Sequence, residues 1–148
     1  DCLLSRGLGD VYKRQLYAGA MDEVKERHAD LQGELLPALE VFAHVQSLPE
    51  PGLAIVALGK RDIGCDPDLP MPQRLYREGQ APQDVRGWGV RMIMDQHLFL
   101  SVPAGETLAV GDIISFGTSH PCLTFDKWRQ VLLVDEALDV VEVMPTCF

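Results

Sequence analysis

The chain has 148 residues, of which 47% are hydrophobic, with 13 Lys and Arg against 22 Asp and Glu for a formal net charge of −9. That apolar fraction suits a packed core and excludes a disordered chain, while the acidic balance excludes non-specific nucleic-acid binding and attachment to anionic membranes. No apolar run approaches the roughly 20 residues of a membrane span, no signal peptide is evident at the start, and the four cysteines are scattered without disulfide-like or CxxC spacing, so a reduced, cytoplasmic protein is expected.

Residues 1–15, "DCLLSRGLGDVYKRQ", show neither a helical nor a strand period. Their last part, "DVYKRQ", resembles a translated sequencing adapter, and residues 1–15 are expected to be a non-native tail. Residues 16–37 read as a helix. Met21, Val24, His28 and Leu31 recur at spacings of three and four, and Pro37 closes the segment.

From Leu39 the period becomes two. Val41, Ala43 and Val45 alternate with Phe42, His44 and Gln46, which predicts a strand with one buried face. Pro49-Glu50-Pro51-Gly52 is a turn, and Leu53–Leu58 is a second, continuously apolar strand that completes a hairpin. Gly59-Lys60-Arg61-Asp62 follows as a solvated turn or the wall of a charged pocket. Residues 66–83, with Pro67, Pro70, Pro72, Pro82 and Gly79, are expected to be one long loop.

Residues 85–102 return to strands, with Gly87 and Gly89 suggesting a bulge. Asp95-Gln96-His97 sits at a strand junction, where His97 is either a site residue or a histidine bonded to a backbone carbonyl. Leu108–Phe116 predicts a strand, a Gly-Asp turn and another strand. Residues 128–134 and 140–144 predict a closing hairpin.

The segment "GTSHPCLTFDKW" holds the only closely spaced pair of good metal ligands, His120 and Cys122. Pro121 pushes the residue before it into extended geometry. In an extended segment, side chains two apart share a face, with Cα atoms about 6.5 Å apart. An imidazole and a thiolate on one face suit a soft or borderline ion, zinc before calcium or magnesium. Two ligands leave open positions, as at a catalytic zinc. The alternative is a strand-end histidine beside a buried, inert cysteine.

The His-x-Cys pair followed by Thr-Phe-Asp-Lys-Trp, together with "ALEVFAHVQSLPEPGLAIVALGKRDIGCD" and "MIMDQHLFL", resembles the D-serine dehydratase family and its D-amino-acid deaminase relatives. These are pyridoxal-phosphate enzymes of the alanine-racemase-like fold type. The resemblance runs from about Leu16 to Phe148. It implies zinc on His120 and Cys122, and a histidine near the metal at His97. It also implies a pyridoxal-phosphate barrel upstream, of which residues 16–37 are the remnant, with the Schiff-base lysine outside this chain, which alone would be inactive. The sister D-threonine aldolases carry an aspartate at the cysteine's place, so Cys122 points to the dehydratase side.

The expected architecture is therefore mainly β. An N-terminal helix precedes an all-β barrel or sandwich-like domain of seven to nine strands over residues 38–148, the C-terminal domain of an alanine-racemase-like enzyme. The implied reaction is β-elimination from a D-hydroxy amino acid to a 2-oxo acid and ammonia, in a homodimer. Two alternatives remain: a D-threonine-aldolase-like enzyme, and a non-catalytic β interaction domain.

Overall fold

The computed structural model describes residues 2–5, 38–66 and 68–147. The helix expected over residues 16–37, and Phe148, lie outside the described residues. The protein is mainly β, and the described residues form ten strands and one short helix: β1 (Cys2–Ser5), β2 (Leu39–Glu50), β3 (Leu53–Val56), β4 (Met71–Tyr76), β5 (Gln83–Asp84), β6 (Gly89–Ile93), β7 (Leu98–Ser101), β8 (Ile113–Gly117), α1 (Pro121–Phe125), β9 (Gln130–Val134) and β10 (Val140–Pro145).

The long β2 organises the sheet. Its first half pairs antiparallel with β1 and with β8, and its second half pairs with β3. From β3 the sheet continues antiparallel through β7 to β6. From β8 it continues through β4 to β5. On the other side of β2, β1 runs parallel to β9, which pairs with β10. The sheet curls, and its concave side holds the core.

That core follows from the alternation in β2. Val41, Ala43 and Val45 point inward and meet Val56 of β3, Leu98 and Leu100 of β7, and Ile114 and Phe116 of β8, all buried. Burial of each large side chain contributes about 1.5–3 kcal/mol before ordering costs. The even-numbered residues face the other way. Phe42 stacks at a tilt on Tyr76, with ring centroids 5.4 Å apart, beside Ile113, Leu132, Val134 and Leu138. On this convex side Glu40 Oε2, Ser115 Oγ and Tyr76 OH are buried without a hydrogen-bond partner among the described residues.

Four expectations are corrected. Cys2–Ser5, read as patternless, form strand β1. The long loop over 66–83 contains β4 and the start of β5. Pro72 is tolerated in β4 because the β4–β8 pairing is irregular between Pro72 and Arg74, while β5 pairs only at Arg74 and Leu75, so no pairing on that side asks for a proline N–H. Residues 85–88 are a turn region, and the strand begins at Gly89, with the expected irregularity falling between Val90 and Met92. Leu108–Val110 form no strand. They lead into a turn at Gly111, whose φ of +95° favours glycine. Buried Asp112 ties that turn down. Its carboxylate accepts from Ala109 N at 2.8 Å and from Arg77 Nε at 2.8 Å and Nη2 at 2.5 Å. The Arg77 guanidinium holds the Asp112 carboxyl below the usual carboxylate range.

Candidate functional site

The loop over residues 59–68 is the scaffold of the site, and it is fastened at both ends. At its start, Lys60 N donates to Met94 O at 2.8 Å and Arg61 N to Asp95 O at 3.2 Å. These carbonyls belong to the turn between β6 and β7 that carries His97. Gly59 makes this approach possible, because a Cβ there would lie 2.0 Å from Asp95 O. Asp62 closes the first turn of the loop by accepting from Gly59 N at 2.8 Å. The basic pair Lys60-Arg61 is exposed, as the solvated-turn reading has it.

At its end the same loop is stitched to the segment around α1. Gly64 N donates to Thr124 Oγ1 at 2.9 Å, Ser119 Oγ to Asp68 O at 2.6 Å, and Trp128 Nε1 to Asp62 O at 2.6 Å. Trp128 is half-buried against the core.

His120 is held by a closed circuit of hydroxyls. Its backbone N–H donates to Thr118 Oγ1 at 3.2 Å, the Thr118 and Thr124 hydroxyls lie 2.6 Å apart, and Thr124 Oγ1 donates to His120 O at 2.9 Å. With the Thr124 proton on that carbonyl, Thr118 is the donor between the two threonines. Thr118, Ser119 and Thr124 are all buried. Such a satisfied network fixes a single backbone geometry. Gly64 presses against it, since a Cβ at this position would lie 2.6 Å from His120 O.

The imidazole is fixed as well. Asp66 Oδ1 and Oδ2 lie 2.6 and 2.8 Å from His120 Nδ1. Asp66 is the residue sequence reasoning missed. It stands 54 positions away in the chain, at the head of a stretch read only as loop.

The extended-segment expectation for the His-x-Cys pair is corrected. His120 is extended, with φ −135° and ψ 89°, but it is the N-cap of α1, with Pro121 at the first helical position. Proline's fixed φ suits that position. Cys122 therefore lies on the first turn of a helix, exposed, and strand alternation does not place it beside the imidazole. His97 sits exposed in the β6–β7 turn, where its carbonyl accepts from Met94 N at 2.8 Å. His97 and His120 are thus borne by segments fastened to opposite ends of one loop. Among the described residues, no group of three or more His, Cys, Asp or Glu is placed to hold a metal ion.

The donor chemistry of the pair still fits a metal with two protein ligands. His120 has one ring nitrogen on a carboxylate, as metal-bound histidines commonly do, and Cys122 offers an exposed sulfur two residues on.

The curled, largely antiparallel sheet matches the β domain of pyridoxal-phosphate enzymes of the alanine-racemase-like class. Residues 38–134 match the family described as "Putative serine dehydratase domain", and the chain belongs to that family. Among solved structures, D-threonine aldolase from Filomicrobium marinum is similar at a TM-score of 0.62 and 23% identity, over 76% of this chain and 28% of the aldolase chain. D-threo-3-hydroxyaspartate dehydratase from Delftia sp. HT23 is similar at a TM-score of 0.56 and 19% identity, over 74% of this chain and 32% of the dehydratase chain. A metal-free cysteine-to-alanine variant of D-threo-3-hydroxyaspartate dehydratase is similar at 0.56 and 18% identity, again over 74% and 32%. No curated protein matches the chain in sequence. No helix among the described residues is long and apolar enough to cross a membrane.

Proposed function

We propose that this chain supplies the metal-bearing β domain of a pyridoxal-phosphate-dependent dehydratase that acts on D-serine or a related D-hydroxy amino acid. The observation that carries the reading is the fixed His120, held through its backbone by Thr118 and Thr124 and through its ring by Asp66, within a domain of the serine dehydratase family. That a structural neighbour is named in a metal-free form is in keeping with a metal in enzymes of this fold.

His120 Nε2 and Cys122 Sγ would hold zinc. When bound, zinc would act as a Lewis acid that stabilises the departing hydroxyl, a poor leaving group near neutral pH. Pyridoxal phosphate, bound in an upstream barrel domain, would supply the electron sink for loss of the α-proton. The residues of this chain orient. The threonine circuit prevents the His120 backbone from shifting as substrate enters. Asp66 keeps the ring from turning. With His120 and Cys122 as its protein ligands, the metal would have room for the substrate alcohol. His97, in the β6–β7 turn fastened to the start of that loop, would face the substrate. The overall change is loss of Cα–H and Cβ–OH, followed by hydrolysis to a 2-oxo acid and ammonia. The enzyme would act in the cytoplasm as a homodimer, with no part for nucleic acid or membrane.

The test is carried out on the full-length protein. Cys122→Ala and His120→Ala each remove bound zinc and reduce pyruvate and ammonia formation from D-serine by at least about 100-fold, the size expected for loss of a charge-stabilising group. Unchanged zinc content and turnover in both variants would falsify the assignment. The alternative is carbon–carbon cleavage of a D-β-hydroxy amino acid, the activity in the name of one structural neighbour. Glycine and an aldehyde as products, in place of pyruvate and ammonia, identify that case.

A further inference from the structure

The Asp66–His120 contact says more than that the ring is held. Both carboxylate oxygens lie within hydrogen-bond distance of the same nitrogen, at 2.6 and 2.8 Å. An ionised carboxylate can only accept, so Nδ1 is the protonated nitrogen. A neutral imidazole carries one ring proton, and its lone pair is then at Nε2. We propose that Asp66 is the positioning residue of the site: it takes the Nδ1 hydrogen bond and so makes Nε2 the nitrogen that donates to the metal. The inference rests on the zinc reading above for its function, and on the geometry alone for its tautomer.

The loop is built to keep Asp66 there. Two residues before it, Gly64 N is bonded to Thr124 Oγ1. Two residues after it, Asp68 O accepts from Ser119 Oγ. Thr124 and Ser119 flank His120 on its own segment, and Thr124 also bonds the His120 carbonyl. The carboxylate and the imidazole are therefore mounted on two backbones cross-linked on both sides of the contact. Gly64 sets how close those backbones come, because any Cβ there would meet the His120 carbonyl. The threonine circuit fixes the main chain of His120, and Asp66 fixes the remaining freedom about the ring axis. With both oxygens turned to Nδ1, Asp66 acts through the histidine rather than as a ligand, in keeping with the absence of a three-ligand group among the described residues.

The experiment has two readouts on the same chain. The first is the ring 15N spectrum of His120 in the metal-free chain, at a pH well above the ordinary imidazole value of about 6.5. The expected result is the Nδ1–H form, lost or mixed in Asp66→Asn, whose amide can donate as well as accept. An Nε2–H form in the unaltered chain, or a spectrum unmoved by Asp66→Asn, overturns the proposal. The second is zinc affinity measured against a chromophoric chelator. Asp66→Asn is expected to bind about 10–100-fold more weakly, Asp66→Glu to recover part of the loss, and Asp68→Asn, which removes an equal charge two residues away, to leave the affinity unchanged. Equal losses from Asp66→Asn and Asp68→Asn reduce the effect to general charge and overturn the positioning role. If the unaltered chain binds no zinc, the metal reading of His120 falls, while the tautomer comparison still decides Asp66.

Discussion

Two parts of the molecule bury polar side chains and treat them in opposite ways. Around His120, the hydroxyls of Thr118, Ser119 and Thr124 are all hydrogen-bonded, and they join two loops into one body. On the convex side of β2, β8 and β4, the atoms Glu40 Oε2, Ser115 Oγ and Tyr76 OH are also buried and have no hydrogen-bond partner among the described residues. A satisfied network specifies geometry, whereas an unpaired buried polar atom costs about 1–3 kcal/mol. Stability is thus invested at the histidine and lost on the convex side.

The sharpest way to break this contrast is Thr124→Val, which keeps the side-chain volume and removes the hydroxyl. Gly64 N and the Thr118 hydroxyl lose their acceptor, and the His120 carbonyl loses a donor. Urea unfolding should show a loss of about 3 kcal/mol, with zinc binding weakened in parallel. Gly64→Ala comes next, at about 2 kcal/mol, because the added methyl forces the His120 carbonyl away. In calorimetry its effect should fall below that of Thr124→Val, and a silent Gly64→Ala would show that the two backbones are not in contact.

The convex side should respond with the reverse sign. Glu40→Leu is expected to stabilise by about 1 kcal/mol, since it removes an unpaired buried oxygen and adds apolar contact. A destabilised Glu40→Leu would mean that the carboxylate has a partner in solution. The smallest effect is pH-dependent. Asp112 has a folded-state pKa below its ordinary 3.8, chiefly through the Arg77 hydrogen bonds. Its contribution is therefore complete above that ordinary value and is lost as pH falls through the lower folded value. The Tm gap between the unaltered chain and Asp112→Asn should be widest near neutral pH and should close below about pH 4.

Much of the β framework could be read from residue order, because strand alternation is a local signal. The Leu39–Glu50 and Leu53–Val56 hairpin, the irregularity in β6 and the closing β9–β10 hairpin all follow from runs of alternating apolar residues and their turns. β4 escaped because four prolines dominate its neighbourhood, and the pairing that accommodates Pro72 is a long-range fact. The His-x-Cys segment shows one rule holding and another intervening. The residue before proline is extended, as expected, but the proline itself opens a helical turn, so helix geometry rather than strand alternation places Cys122. Asp66 and Gly64 were invisible for a different reason. Nothing in local spacing marks a carboxylate for a histidine 54 residues on, and the only hint was an acidic residue heading a proline-rich stretch next to the family's own motif.

The placement of β1 has its own consequence. Among the described strands, β9 meets the main sheet only through that four-residue strand, by a parallel pairing at Leu4–Leu132 and Ser5–Leu133. The backbone of the terminal hairpin is thus hydrogen-bonded to the rest of the sheet along a single seam, while Val131, Leu132 and Val134 pack into the two cores. If residues 2–5 slip out, the amides of β9 and β10 should exchange with solvent together, ahead of those in β2, β8 and β4, without unravelling the half of the molecule that holds the histidine.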